Sequence, residues 1–175
     1  MKNAENFFLI AGSGRNVGKT TFCCKLIERF SKENRITALK ITDHFHDLEG
    51  QSVRYLHKGV DFVIVEEIDD ASEKDTARFL KAGADSSFLI MAKHENLEKA
   101  LDKLDTIISL EKNPVIAESG YLFEIMRPGL AGFVTDKPEI KINTGFDFVA
   151  HPVGEGDFDV DIEEFSVYGV KWVYN

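Results

Sequence analysis

The sequence predicts an α/β fold with a mainly parallel twisted sheet that is flanked by helices. Short apolar segments, typical of buried strands, alternate along the chain with amphipathic segments of helical spacing. A glycine-rich segment joins the first predicted strand directly to the first predicted helix. The 175 residues suffice for one domain with a sizeable core, so we expect a single domain over residues 1–175.

The predicted strands are short runs dominated by apolar residues. The first, residues 7–11, is entirely apolar and is followed at once by a glycine, as expected for a buried strand. The later runs are bounded in the same way by glycine, proline or charged residues. In chain order, the predicted strands are residues 7–11, 35–42, 52–56, 61–68, 87–91, 114–118, 130–135, 146–150 and 165–173.

Three segments predict helices between these strands. Residues 19–31 carry large apolar residues on one helical face. Residues 72–82 begin with Ser72, a favourable N-cap, and precede a glycine that would stop the helix. Residues 95–109 have the most regular pattern, with apolar residues at i, i+3, i+4 and i+7.

Two further segments are acidic or irregular. Residues 52–56 and 61–68 predict a hairpin that turns at Lys58-Gly59, because the second run is apolar and β-branched. The acidic residues that end this hairpin predict a solvated strand end: Glu66, Glu67, Asp69 and Asp70. Residues 157–162 alternate aspartates with apolar residues, which favours a half-exposed strand over a metal-binding loop.

Composition and charge narrow the function classes. The chain has 30 acidic residues against 21 Lys plus Arg and a formal net charge of −9, which argues against nucleic acid or membranes as partners. Its two cysteines, Cys23 and Cys24, are adjacent and cannot form a disulfide framework, as in proteins of a reducing compartment. The apolar stretch at residues 7–12 is too short to span a membrane and lacks a signal-peptide layout. We therefore expect a cytoplasmic protein.

The segment from Gly12 to Thr21 predicts a phosphate-binding loop. It follows a buried strand and opens an amphipathic helix, so backbone N–H groups and the positive end of the helix dipole would face an anion. Lys19 would reach the β- and γ-phosphates, Thr20 would bind Mg²⁺, and Thr21 would contact the α-phosphate. The predicted nucleotide-binding residues of the loop are Gly12, Ser13, Gly14, Arg15, Asn16, Val17, Gly18, Lys19, Thr20 and Thr21.

The spacing of this loop is a variant of the usual one. Ser13 stands where the common pattern has glycine, and Gly12 provides the glycine one residue earlier. Arg15 either projects over the γ-phosphate or is a solvated loop cation, and the residues do not separate these alternatives.

Carboxylates at strand ends complete the predicted site. Glu118 ends an apolar strand and Asp43 follows another, at the edge where parallel sheets bind ligands. Each would join Thr20 in holding Mg²⁺ and would orient water, so Lys19, Asp43 and Glu118 are the predicted catalytic residues. Lys40 on the second strand would face the same ligand. For Glu118 and Asp43 the alternatives are a solvated strand-end acid and a turn-forming aspartate.

Two other segments suggest further ligand contacts. His44 and His46 lie two residues apart and suggest either a polar active-site loop or a transition-metal site, with His57 and the thiols as further ligands if the fold brings them close. Asp136 follows a late strand and would accept hydrogen bonds from a guanine base, but a plain turn before Pro138 is an equal alternative.

The strand, the loop Gly-Ser-Gly-Arg-Asn-Val-Gly-Lys-Thr-Thr and the helix resemble P-loop NTPases, and within them the molybdopterin-guanine dinucleotide biosynthesis protein B family. The segment Lys74 to Arg78, the Ala-Gly-Ala at 82–84 and the histidines after the second strand also resemble that family. Glu118 falls where the family has a Glu-Gly strand end, although this chain reads Glu-Ser-Gly. The resemblance covers roughly residues 6–136. The loop is also similar to that of dethiobiotin synthetase.

The first resemblance implies a GTP-binding homodimer with slow GTP hydrolysis and Mg²⁺. Its role would be to assist guanylylation of molybdopterin beside a molybdenum cofactor guanylyltransferase. The second resemblance implies an ATP-dependent small-molecule ligase or kinase, in which Lys40 would orient the substrate. A third possibility is a nucleotide-dependent binding switch whose loops order around the nucleotide and present a surface to a partner.

Overall fold

The computed structural model describes residues 2–138 and 145–175. Its helices are α1 (Lys19–Phe30), α2 (Asp75–Lys81) and α3 (Leu97–Ile108). Its strands are β1 (Lys2–Gly12), β2 (Thr37–Thr42), β3 (Val53–Lys58), β4 (Phe62–Glu67), β5 (Ser86–Ala92), β6 (Val115–Glu118), β7 (Met126–Val134), β8 (Phe148–Ala150), β9 (Pro152–Gly154), β10 (Asp157–Phe158), β11 (Phe165–Tyr168) and β12 (Lys171–Tyr174). None of the described helices is long and apolar enough to cross a membrane.

One eight-stranded mixed sheet organises the chain, in the order β3-β4-β5-β2-β6-β1-β7-β8. The pairs from β5 through β8 are parallel, whereas β4 is antiparallel to both β3 and β5. The prediction of an α/β fold with a mostly parallel sheet and flanking helices is therefore confirmed. Because β1, β2 and β6 are parallel neighbours, their carboxyl ends meet at one edge of the sheet.

Both faces of the sheet are buried, which explains why β1 is apolar at successive positions. Phe8 and Ile10 pack on the face that α1 covers, and Phe7 and Leu9 pack on the face that α3 covers. Successive side chains of a strand point to opposite faces, so a strand covered on both sides needs apolar residues throughout.

The C-terminal hairpins cover the same face as α1. The indole of Trp172 lies 5.3 Å from the ring of Phe8 and 5.1 Å from that of Phe30, measured between centroids. Its Nε1–H donates to the carbonyl of Val115 at 3.1 Å. On the outer side of α1, the Lys25 ammonium pairs with Asp157 at 2.7 Å. The last thirty or so residues thus hold the helix that follows the glycine-rich loop.

Several predicted boundaries are wrong. The second helix begins at Asp75 with Lys74 as its N-cap, because the Ser72 hydroxyl accepts from the Lys74 N–H within a turn (3.5 Å). Residues 165–173 form a hairpin rather than one strand, since Gly169 turns the chain with φ of 65°. The first strand also starts earlier than predicted, at Lys2.

Two predictions about acidic residues are also wrong. Only Asp157 and Phe158 of the alternating segment form a strand, and a short 3₁₀ helix follows at Ile162–Glu164. Glu67 is not at a solvated strand end: it is 6% exposed, because the start of α2 covers it and the Thr76 hydroxyl donates to it.

Candidate functional site

The glycine-rich loop lies at the edge of the sheet where β1, β2 and β6 end. β1 ends at Gly12 and α1 begins at Lys19, so the loop connects a central strand to a helix N-terminus. The Lys19 ammonium folds back over this loop and donates to the carbonyl of Gly14. A helix N-terminus and a lysine therefore converge on one concave surface, as in anion-binding sites.

Two glycines of the loop are required by close packing. A Cβ on Gly12 would lie 2.5 Å from the carbonyl oxygen of Val134 on the neighbouring strand. Gly18 has φ of 98°, a left-handed conformation that disfavours other residues, and a Cβ there would lie 3.1 Å from the ring of Phe158. The C-terminal hairpin β9–β10 is thus packed directly against the end of the loop.

Thr20 is held by two carboxylates from distant parts of the chain. Its hydroxyl oxygen lies 2.8 Å from Oε2 of Glu118 and 3.0 Å from Oδ1 of Asp75. The other oxygens of the same carboxylates pair with the Lys40 ammonium, at 2.6 Å from Glu118 and 2.5 Å from Asp75. The carboxylate of Glu118 is 3% exposed, so this is a closed network of four side chains.

The opposite charges in this network stabilise the ionised forms of Lys40 and Asp75. Burial acts to lower the pKa of Lys40, but the Glu118 and Asp75 carboxylates outweigh it and leave that pKa above its ordinary value. Burial acts to raise the pKa of Asp75. The charge of Lys40 and the hydrogen bonds from Lys40 and Thr20 outweigh this effect, so the pKa of Asp75 lies below its usual range. Burial lowers the pKa of Lys19. Lys40 and Asp75 are therefore both charged at neutral pH.

A cleft of about 720 Å³ opens above this network. Its basic side chains are Arg15, Lys19, Lys40 and Arg78, and its carboxylates are Asp43, Asp75 and Glu118. Neutral oxygen donors from Thr20, Thr21 and Ser119 lie among them. A concave site that combines several cations with hard oxygen donors suits a polyanion that carries a divalent cation.

The structure places most of the predicted site residues in this cleft. Those that line it are Gly12, Gly14, Arg15, Asn16, Gly18, Lys19, Thr20, Thr21, Lys40, Asp43 and Glu118. Ser13 and Val17 belong to the loop but do not line the cleft, and Val17 is buried in the core. Asp136 lies exposed on the turn after β7, also outside the lining.

Asp75 and Arg78 are the charged cleft residues that the site prediction missed. Asp75 contacts Thr20, whereas the carboxylate of Asp43 lies 3.5 Å from the Tyr121 hydroxyl and 3.6 Å from Nε2 of His44. Arg78 donates to the Thr21 hydroxyl at 3.1 Å. Asp75 and Arg78 are three residues apart at the start of a helix, which places both side chains on one helical face. This spacing was the signal from which the sequence could have paired them in one site.

The two histidines after β2 belong to the same cleft. His44 and His46 both line it, with ring centroids 6.5 Å apart. Within residues 2–138 and 145–175, no three His, Cys, Asp or Glu side chains are grouped so that they could hold a metal ion.

His57 and the two thiols were the further ligands considered for a transition-metal site. Burial raises the pKa of Cys24 to about 11 and raises that of Cys23 well above its ordinary value, so both thiols are protonated at neutral pH. The ring of His57 stacks on that of Phe62, with centroids 4.3 Å apart.

Comparison of the chain with protein-family models, with curated proteins and with solved structures gave no match.

Proposed function

We propose that this chain is a P-loop nucleotide-binding protein that binds a Mg²⁺–nucleoside triphosphate in the cleft and hydrolyses it slowly. The observation that carries the proposal is the position of the Thr20 hydroxyl, between two carboxylates and at the first turn of a helix that follows a glycine-rich loop. A loop with this order of strand, glycines, Lys-Thr and helix suits phosphates, and the carboxylates suit the cation that accompanies them.

Each side chain has a role that follows from its place. Lys19 would leave the Gly14 carbonyl and neutralise the β- and γ-phosphates, while backbone N–H groups of the loop and of α1 would hold their oxygens. Arg78 would add donors beside Thr21, at the end of the cleft where the α-phosphate would lie. Lys40 would face the terminal phosphate from the second strand.

The donor set around Thr20 fits Mg²⁺. One hydroxyl and two carboxylates, from Thr20, Asp75 and Glu118, supply the hard oxygen ligands that this ion prefers, with water completing its shell. When bound, the ion would neutralise charge on the phosphate oxygens. Asp43, which lines the cleft without contacting Thr20, would orient a water molecule instead.

GTP is the nucleotide that we favour, because the chain resembles the molybdopterin-guanine dinucleotide biosynthesis protein B family. In that role it would act as a homodimer beside a molybdenum cofactor guanylyltransferase. ATP-dependent ligation or phosphorylation of a small molecule is the second candidate. It is favoured by a separate cavity that meets the cleft at Lys40 and Asp75.

The first test is titration with fluorescent GTP and ATP analogues in the presence of Mg²⁺. We expect saturable binding by the wild type and a loss of at least about a hundredfold in affinity for Lys19→Ala, because a charge-assisted contact in a partly buried site disappears. Lys32→Ala is the matched control, since Lys32 lies exposed just beyond α1 and should leave affinity unchanged.

Equal affinity of the wild type and Lys19→Ala would contradict the phosphate-loop assignment. A preference for the guanine analogue would support the molybdenum-cofactor type of role and a contact from Asp136. A preference for the adenine analogue would favour the ligase or kinase instead.

A further inference from the structure

A second cavity of about 510 Å³ adjoins the nucleotide cleft. Lys40, Thr42, His46 and Asp75 line both spaces. The two therefore meet at the ion pair between Lys40 and Asp75, beside the position that we assign to the terminal phosphate. A volume of this size falls in the range of sites that bind small molecules.

One wall of this cavity is apolar. Val53, Val65 and Leu89 come from the adjacent strands β3, β4 and β5, and Leu48 packs against Val65 from the loop that follows β2. The start of α2 forms the opposite wall. This surface would bury a hydrocarbon body, and such burial contributes about 25 cal/mol for each Å² removed from water.

Glu67 contributes a buried carboxylate to the lining of the cavity. It lines the cavity, is 6% exposed, and accepts one hydrogen bond, from the Thr76 hydroxyl at 2.8 Å. Among the residues that the structure describes, no basic side chain forms an ion pair with it. A buried carboxylate is costly unless a cation or further donors satisfy it, so a positively charged ligand group would complement this position.

We propose that the second cavity binds a small amine with an apolar body. Its ammonium pairs with Glu67, its body lies against Val53, Val65 and Leu89, and its other end reaches Lys40 and Asp75 at the nucleotide cleft. This inference rests on the proposed function, because it assigns the second ligand of that same site. The described lining holds the carboxylates of Asp47, Glu67, Glu73 and Asp75 against the ammonium groups of Lys40 and Lys74, so its excess of negative charge makes an anionic ligand a poorer fit.

The test uses protein with labelled leucine and valine methyl groups, observed by NMR. Hexylamine is the probe, and hexanol and hexanoate are its neutral and anionic counterparts. We expect hexylamine to shift the methyl signals of Leu48, Val53, Val65 and Leu89, and hexanoate to leave them unchanged. Glu67→Gln keeps the size of the side chain and its bond from Thr76, and should weaken hexylamine binding about tenfold. Glu66→Gln is the control, since Glu66 pairs with Arg54 and does not line the cavity.

The same samples separate this inference from the proposed function. Val17, a buried residue of the glycine-rich loop, would report Mg²⁺–GTP or Mg²⁺–ATP binding through its own methyl signals. If a nucleotide shifts Val17 but hexylamine leaves the four cavity residues unmoved, the second site is wrong and the nucleotide site stands. If neither nucleotide shifts Val17, the proposed function fails. Equal binding of hexanoate, or unchanged hexylamine affinity in Glu67→Gln, would overturn the assignment of an amine.

Discussion

Asp43 and Asp75 are two acids of the same cleft to which we assign different roles. Both line it, but only Asp75 reaches Thr20. We expect Asp75→Asn to weaken Mg²⁺-dependent nucleotide binding about tenfold or more, because an amide is a poor ligand for a hard cation. Asp43→Asn should spare binding and lower turnover.

Nucleotide affinity measured across a Mg²⁺ titration distinguishes the two variants. The wild type and Asp43→Asn should show the same dependence on Mg²⁺. Should Asp43→Asn shift that dependence while Asp75→Asn does not, the sequence-based metal assignment would be restored.

Replacing Lys40 should lower the stability of the folded protein measurably. Lys40→Met would remove the cation that the Asp75 and Glu118 carboxylates share. We expect a loss of about 3 kcal/mol in the free energy of unfolding, at the low end for a buried pair, because the Asp75 side chain is 35% exposed and Arg78 remains 4.0 Å from it. Lys93→Met is the control, because Lys93 is exposed and donates to a backbone carbonyl, that of Asp43.

This cost should depend on pH in a defined direction. The pKa of Asp75 is lowered in the folded state, so its stabilisation is present above about pH 4 and is lost as pH falls through the folded pKa. The pKa of Lys40 is raised, so its stabilisation is present below about pH 10 and is lost as pH rises through the folded pKa. In urea unfolding, the free energy of unfolding of the wild type should exceed that of Lys40→Met by a constant amount from about pH 5 to 9. This difference should become smaller below and above that range. A difference that varies steeply near neutral pH would contradict this account.

At the scale of elements, α2 supplies two side chains of the cleft. Asp75 reaches Thr20, and Arg78, one turn later, donates to Thr21. A shift of this helix would therefore move the proposed metal ligand and the proposed phosphate ligand together. We expect Arg78→Met to weaken triphosphate binding about tenfold through the loss of a charge-assisted hydrogen bond.

Lys81→Met is the matched control for Arg78→Met, since Lys81 is an exposed cation on the same helix. Calorimetric titration with the nucleotide and Mg²⁺ measures both variants. An equal loss in the two would indicate a general effect of charge, and no loss in either would remove Arg78 from the phosphate site.

At the scale of the whole molecule, the C-terminal hairpins pack beside α1 on one face of the sheet. Trp172 joins β12 to both Phe8 on the sheet and Phe30 on α1. We expect Trp172→Ala to lower the free energy of unfolding by about 3–5 kcal/mol, because it leaves a cavity and an unpaired carbonyl on Val115. Denaturant unfolding measures this, and Tyr168→Ala, on the exposed side of the same hairpin, should change little.

The elements were the most predictable part of this protein, and the site was less so. The buried strands, α1, α3 and the glycine-rich loop follow from local patterns, since apolar periodicity and glycine placement act over a few residues. Lys19, Thr20, Lys40 and Glu118 could be assigned to one site because parallel strands bring their carboxyl ends together.

The sequence by itself determined a mostly parallel α/β sheet and the loop that joins β1 to α1. Only the tertiary structure decided that Asp75 contacts Thr20 across a separation of 55 residues, and that Glu67 is buried rather than solvated. Both outcomes depend on where α2 packs. Seven helical residues contain no local pattern that specifies their neighbours, so packing against α1 and the sheet sets that position.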